Sequence, residues 1–198
     1  MGRVTRAVGR VRSRARRSER GAALVEAAIL LPLVLLIVFG ALEYSSIYRD
    51  ASQVSSAARA GGRIASAEPR IHSMPVDAAN AVATALSSLP AQEPQEVWIF
   101  DATNSTSTPS SCGGNCIAFT WNQGTKSFDT GSYGGSSGGW INTQNACPGS
   151  SGTWARIGVY VRAKYKYLTA LFGGGTRDLT STAIFRVEPL SSQACLGS

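Results

Sequence analysis

Residues 21–42, from Gly21 to Leu42, read GAALVEAAILLPLVLLIVFGAL. No other stretch of the 198-residue chain is both apolar and long enough to cross a bilayer. The 21 residues after Gly21 would make a helix of about 31 Å, the thickness of a hydrocarbon layer. One ionisable residue lies inside, Glu26, five places after Gly21. Pro32 removes one backbone hydrogen bond and should kink the helix. Gly40 is small enough to admit a neighbouring helix. The apolar part is longer than the core of an ordinary secretory signal, and Leu42-Glu43-Tyr44 follows it in place of a small-residue cleavage site. A retained membrane span is the expected element.

Upstream stands an arginine-rich arm. Residues 1–20 hold eight arginines against Glu19, which accounts for the whole formal net charge of +7. The 11 basic and 11 acidic side chains of the remainder cancel. A nucleic-acid-binding domain spreads its basic residues over a folded face, and this chain does not, so no nucleic-acid partner is expected. Basic residues beside a span set its orientation instead. The N-terminus is therefore expected in the cytoplasm and the C-terminal part outside, in a single-pass plasma-membrane protein. No stable fold is expected for the arm.

Downstream the helix is expected to continue. Tyr44 and Tyr48 suit the outer membrane interface. Small or apolar residues then recur at Ile47, Ala51, Val54, Ala58, Gly61 and Ala65, a helical seam. Arg49, Asp50, Gln53, Arg59 and Arg63 fall largely off it. Gly61-Gly62 weakens this end and Glu68-Pro69 terminates it. One helix over 22–66 would be about 65 Å long. A short helix should follow, capped by Ser73, with Pro75 and Asp77 in its first turn. Val76, Ala79, Val82, Leu86 and Leu89 would form its buried face, and Pro90 and Pro94 would close it.

Beyond Glu96 the periodicity becomes that of strands: Val97 to Phe100, Cys116 to Trp121, Trp154 to Tyr167 and Leu179 to Val187. In the third, Ile157, Val159, Val161, Ala163, Tyr165 and Tyr167 share one face, with Arg156, Arg162, Lys164 and Lys166 on the other. The last strand is expected to bury Leu179, Ser181, Ala183, Phe185 and Val187. Residues 122–151 read as a long loop too polar to fold alone. The expected class is α+β, an antiparallel sheet packed on the outer half of the long helix. Its organisation would be a basic leader (1–21), the long helix (22–66, span 22–42), a short helix with linkers (67–96) and an extracytoplasmic sheet domain (97–198).

The four cysteines, Cys112, Cys116, Cys147 and Cys195, all lie beyond the span. Their even number in a Ser/Gly/Thr-rich region fits an oxidising compartment. Cys112–Cys116 and Cys147–Cys195 is the favoured pairing among three. Their irregular spacing and the distant single histidine, His72, do not suit a metal site, and none is expected. Gly173-Gly174-Gly175 lacks the Lys-Ser/Thr of a phosphate loop. No Ser/His/Asp set and no paired carboxylates are visible. An enzyme, a cofactor and a small-molecule substrate are therefore not expected. Tyr165, Tyr167 and Trp154 would form an adhesive face only if exposed, and aromatics on one strand face are usually core.

The remaining chemistry is at the start of the span. Cleavage after Gly21 by a membrane peptidase would remove the arm and expose the Ala22 amine. Glu26 would then lie one helical turn away. A carboxylate in hydrocarbon needs a partner, and a neighbouring subunit's α-amine would supply one and fix register. The competing reading leaves Glu26 near the interface, six residues from Arg20 and within reach of headgroups without cleavage.

Three segments together resemble the TadE-like family of tight-adherence (Flp/Tad) pilus loci. They are Arg20 to Glu26 continuing through Ile29 to Leu33 and Phe39 to Tyr44; Ala57 to Arg63; and Val161 to Tyr167 with Leu179 to Glu188 behind it. The resemblance covers about half the chain. It implies a minor pilin or pseudopilin that is cut by a prepilin peptidase and works with other pilin-like subunits and the pilus assembly machinery. Ala27 departs from the family, standing where an aromatic often follows the glutamate, and 101–153 has no counterpart in it. The alternative is an uncleaved single-pass protein whose outer domain binds a protein or glycan.

Overall fold

The computed structural model describes the backbone of residues 7–87, 92–129, 134–135, 139–147, 152–169, 174–191 and 195, and their side chains from residue 21 onward except 92, 134 and 135. It opens on one helix, α1 (Ala7–Ala67), of 61 residues and about 90 Å. The arm expected to lack structure is helical from Ala7. Once the apolar segment is helical the nucleus exists, and each further residue adds one hydrogen bond. Alanine and arginine, both strong helix formers, make up much of the segment. Pro32 lies inside α1, which continues on both sides of it.

The helix divides into two environments. From Gly21 to Phe39 every residue is exposed. From Glu43 upward a stripe is buried, and Val54, Ala57, Ala58, Gly61 and Ala65 face the domain core. The expected seam is present, with one correction. Asp50, assigned off it, is fully buried. Positions 43, 47, 50, 54, 57 and 61 repeat in steps of four and three, so the true stripe passes through Glu43 and Asp50 as well as through the apolar residues.

α1 ends at Ala67, and the chain reverses through Pro69 and Arg70, whose φ is 62°. That left-handed conformation is uncommon for a residue with a side chain. Arg70 is held there because its N–H donates to Gln144 Oε1 and its Nε to the Gln144 carbonyl, both at 3.0 Å. The second helix, α2 (Met74–Leu86), has Pro75 and Asp77 in its first turn as expected. Ser73 occupies the cap position, but its side chain makes no capping hydrogen bond. Ala79, Val82 and Leu86 are buried with Met74 and Ala78, while Val76 is only half-buried. Leu89 and Pro90 lie outside the described residues.

The sheet comprises β1 (Gln92–Asp101), β2 (Cys116–Asn122), β3 (Ser127–Phe128), β4 (Gly134–Gly135), β5 (Arg156–Lys166) and β6 (Thr176–Arg186). It is antiparallel in the order β3–β2–β1–β5–β6, with β4 also pairing with β2. All four expected strands are present. β1 starts earlier than Val97 and takes in Pro94, assigned to a helix end. The ladder with β5 slips between Pro94 and Glu96, and β2 joins β1 only from Glu96. The missing N–H of Pro94 therefore lies where no second neighbour needs it. The 122–151 loop holds more order than expected: β3, β4 and a short helix, α3 (Gly139–Asn142). Phe128, Trp140 and Ile141 are buried there.

Both helices cover one sheet face. α1 packs across β5 and β6, and α2 lies against α1, β1 and β3. Register places Phe119, Val97, Val161 and Ser181 in one cross-strand row and Ile117, Ile99, Val159 and Ala183 in the next. In β6 only Leu179 and the following Val187 are fully buried; Ser181, Ala183 and Phe185 are half-buried, as suits the sheet's edge.

Gly61 and Gly62 are contact residues rather than a weak end. A Cβ at Gly61 would sit 2.6 Å from Val82 of α2, and one at Gly62 would sit 2.5 Å from the Phe185 ring. Gly61→Val should therefore lower stability by about 1–3 kcal/mol through overpacking, read as a lower urea midpoint for the full chain in detergent.

Candidate functional site

The helix half from Gly21 to Leu42 is exposed except for the half-buried Gly40, and it is the one candidate membrane span among the described residues. Its large apolar side chains, Leu24 through Leu42, form a continuous exposed surface. A patch of that size marks an interaction surface, and its length fits a bilayer. Gly21, Ala22, Glu26 and Pro32 are all exposed on this half. No atom lies within 4 Å of a Cβ built on Gly21. Packing therefore does not require glycine there. Ala22 and Glu26 are four residues apart and share a helix face, about 6 Å along the axis.

Where the exposed half ends, the sequence places Glu43, and the structure buries it to 2 % exposure. Its carboxylate accepts four hydrogen bonds from the end of β5 and the turn beyond. Tyr165 Oη donates at 2.7 Å and the Leu168 N–H at 3.0 Å. The N–H and Oγ1 of Thr169 each donate at 2.9 Å. Desolvation pushes the Glu43 pKa up, but these donors outweigh it and hold the group below its ordinary value. Burial and the bond to Glu43, with the fields of Glu43 and Asp50 added, push the Tyr165 hydroxyl up to about 12. Asp50, two turns above, is also inside; its Oδ1 takes a bond from Arg49 Nε at 3.3 Å, while Oδ2 has no partner among the described residues.

Sequence reasoning missed this node. Tyr165 was recognised as core, correctly, but not as the donor to a buried acid. The available signal was the position of Glu43: a carboxylate immediately after a bilayer-length apolar run, on the stripe that continues into the core. Its partners lie more than 120 residues away, at sequence separations of 122 to 126, and no local pattern reveals them.

The cysteines pair as expected. Cys112–Cys116 closes the turn before β2, and Cys147–Cys195 ties the segment after α3 to the C-terminus, with Cα separations of 5.3 and 5.6 Å. No cluster of His, Cys, Asp and Glu able to hold a metal occurs among the described residues. Tyr165 is fully buried, so it cannot belong to an adhesive face, and Tyr167 and Trp154 are half-buried. His72 is exposed.

Removing the acceptor at the node should be measurable. Glu43→Gln faces two of its four donors with an NH2 group and should lower stability by about 1–3 kcal/mol, with faster amide exchange at Leu168 and Thr169. The pH dependence has two edges. Glu43, with its lowered pKa, stabilises above the ordinary carboxylate range, and that contribution disappears as pH falls through the folded value. Tyr165, with its raised pKa, contributes fully below its ordinary value of 10.0 and loses the contribution as pH rises towards about 12. Tyr165→Phe should remove the Tyr165 share of the alkaline edge and leave that of Tyr160, whose hydroxyl burial also pushes up, a difference that a pH series of thermal melts reads directly.

A family model described as TadE-like protein matches residues 21–63. The matched segment runs from Gly21 through the buried stripe to Arg63, and so contains Glu26, Glu43, Asp50, Gly61 and Gly62. The strand pair β5–β6 lies outside it. No curated protein and no solved structure matches the chain.

Proposed function

We propose, with that match as the premise, that the chain is a minor pilin or pseudopilin of a tight-adherence pilus. Its span would hold it in the plasma membrane with the arm in the cytoplasm and the sheet domain outside. A prepilin peptidase would cut after Gly21, so that the arginine arm is absent from the mature molecule and Ala22 is its first residue. Glu26 would then pair with the α-amine of an adjoining pilin-like subunit during assembly.

One observation carries the reading: the TadE-like match begins at Gly21, the residue after which cleavage would fall. The exposure of the Gly21–Leu42 half and of Glu26 supports it, since a subunit of this kind offers that surface first to lipid and then to its neighbours. Two disulfides in the sheet domain fit an oxidising exterior. The rival is an uncleaved anchor whose outer domain binds a protein or glycan partner; of the three aromatics that could have served it, Tyr165 is buried.

Mass spectrometry of the membrane-extracted protein tests the first step. A mature N-terminus at Ala22 is expected in cells with an active prepilin peptidase; an intact N-terminus there would remove the processing step. Glu26→Ala should leave insertion and cleavage intact and abolish incorporation into surface filaments. Unchanged filaments would rule out a register role for Glu26.

A further inference from the structure

At the membrane-proximal end of the domain, two adjoining grooves separate α1 from the edge strand β6. The lower, about 210 Å³, is lined by Gly40, Glu43, Tyr44, Ile47, Tyr167 and Arg177. The upper, about 400 Å³, shares Tyr44, Ile47 and Arg177 and extends past Ala51 to Asp178 and Thr180. The larger falls within the roughly 300–1,000 Å³ of small-ligand sites. We propose that this cleft holds the headgroup of an anionic phospholipid from the outer leaflet, with Arg177 on the phosphate. The proposal rests on the membrane reading of Gly21–Leu42 but not on cleavage, pilus assembly or Glu26.

Depth comes first. Gly40 lies two residues inside the end of the apolar run and Ala51 nine residues beyond it, so the cleft runs from about 3 Å below Leu42 to about 14 Å above it. A headgroup layer is about 5–8 Å thick on each side of the hydrocarbon. The lower groove and the base of the upper one thus lie at headgroup level, and through Gly40 the cleft is continuous with the lipid-facing surface of the span.

Chemistry agrees with depth. Tyr44 and Tyr48 are 72 % and 70 % exposed, and phenols favour the boundary between hydrocarbon and water. Leu168, 61 % exposed, is held at the same end by its bond to Glu43. Arg177 lines both grooves; Glu43 also lines the lower and Asp178 the upper, and both carboxylates have other partners. The Glu43 carboxylate is occupied by four donors, and Asp178 lies 3.6 Å from Arg162. A guanidinium in that position matches the geometry of a phosphodiester. Gly40 leaves the floor bare, and a Cβ there meets no atom within 4 Å.

The test uses the full chain in nanodiscs of mixed phosphatidylcholine and phosphatidylglycerol, released for native mass spectrometry. The wild type is expected to retain phosphatidylglycerol in preference to phosphatidylcholine. Arg177→Gln should lower that retention about fivefold, the equivalent of about 1 kcal/mol for one basic side chain at an anionic surface. Gly40→Phe should lower it too, by filling the floor with Arg177 still present; the added Cβ meets no protein atom within 4 Å. Equal retention by the wild type and both variants would overturn the proposal, as would release of a lipid-free dimer joined through the cleft. Vesicle flotation separates the two levels. A chain that fails to float overturns the membrane reading and the lipid site together, whereas one that floats with unaltered retention in the variants overturns the lipid site alone.

Discussion

A single buried carboxylate fixes where this protein stops being a membrane helix and starts being a folded domain. Glu43 stands on α1 directly after the exposed apolar run. It satisfies its charge with Tyr165, Leu168 and Thr169 at the end of β5. An ionised group taken out of water is tolerated only when its acceptor sites are filled. The turn after β5 therefore has one place to lie, against the helix at the membrane boundary. At the far end of the same layer the Glu188 N–H donates to the Ser66 carbonyl at 2.8 Å, and Gln144 holds the reversal at Arg70. Helix and sheet are fastened at both ends of their contact.

Between these fastenings the helix approaches the sheet and α2 through small residues. Ala57, Ala58, Gly61 and Ala65 are buried, and neither Gly61 nor Gly62 has room for a Cβ without moving a neighbour. Close backbone approach gives dispersion contacts along the whole seam. With the node at its base, it makes the outer part of α1 an internal strut of the domain. Lower down, from Gly21 to Phe39, every residue is exposed and open to lipid or to other helices. One helix thus serves two solvents.

The sequence made much of this legible, because hydrophobic period is read directly. The bilayer-length run, the 3–4 seam beyond it and the period-two strands each carried their own evidence. So did the α+β class, whereas the disulfide pairing was the favoured one of three and not fixed by any pattern. What escaped was non-local or polar. Asp50 was placed outside because it is charged, although its position, three beyond Ile47 and four before Val54, put it on the buried stripe. Pro94 was assigned to a helix end, whereas a bulge and an unpaired edge let β1 include it. The helical arm resulted from propagation out of the span rather than from its own pattern. The long glycine-rich segment looked structureless because its large buried apolar residues, Phe128 and the Trp140-Ile141 pair, are few and far apart. Glu26 was the acid that drew attention in the sequence. The acid that organises the fold is Glu43, seventeen residues on, and only its distant partners reveal that.

The most direct test of the two-solvent helix is a depth scan. Single spin labels along residues 24–56 of the full chain in bilayers would be compared for collision with oxygen and with a water-soluble nickel chelate. Oxygen should dominate at every position through Leu42, cross over between Glu43 and Ser46, and give way beyond to a periodic pattern with protected minima at 43, 47, 50 and 54. A crossover well inside the apolar run, or no protection at 43 and 50, would contradict the assignment of Glu43 as the boundary between membrane and domain.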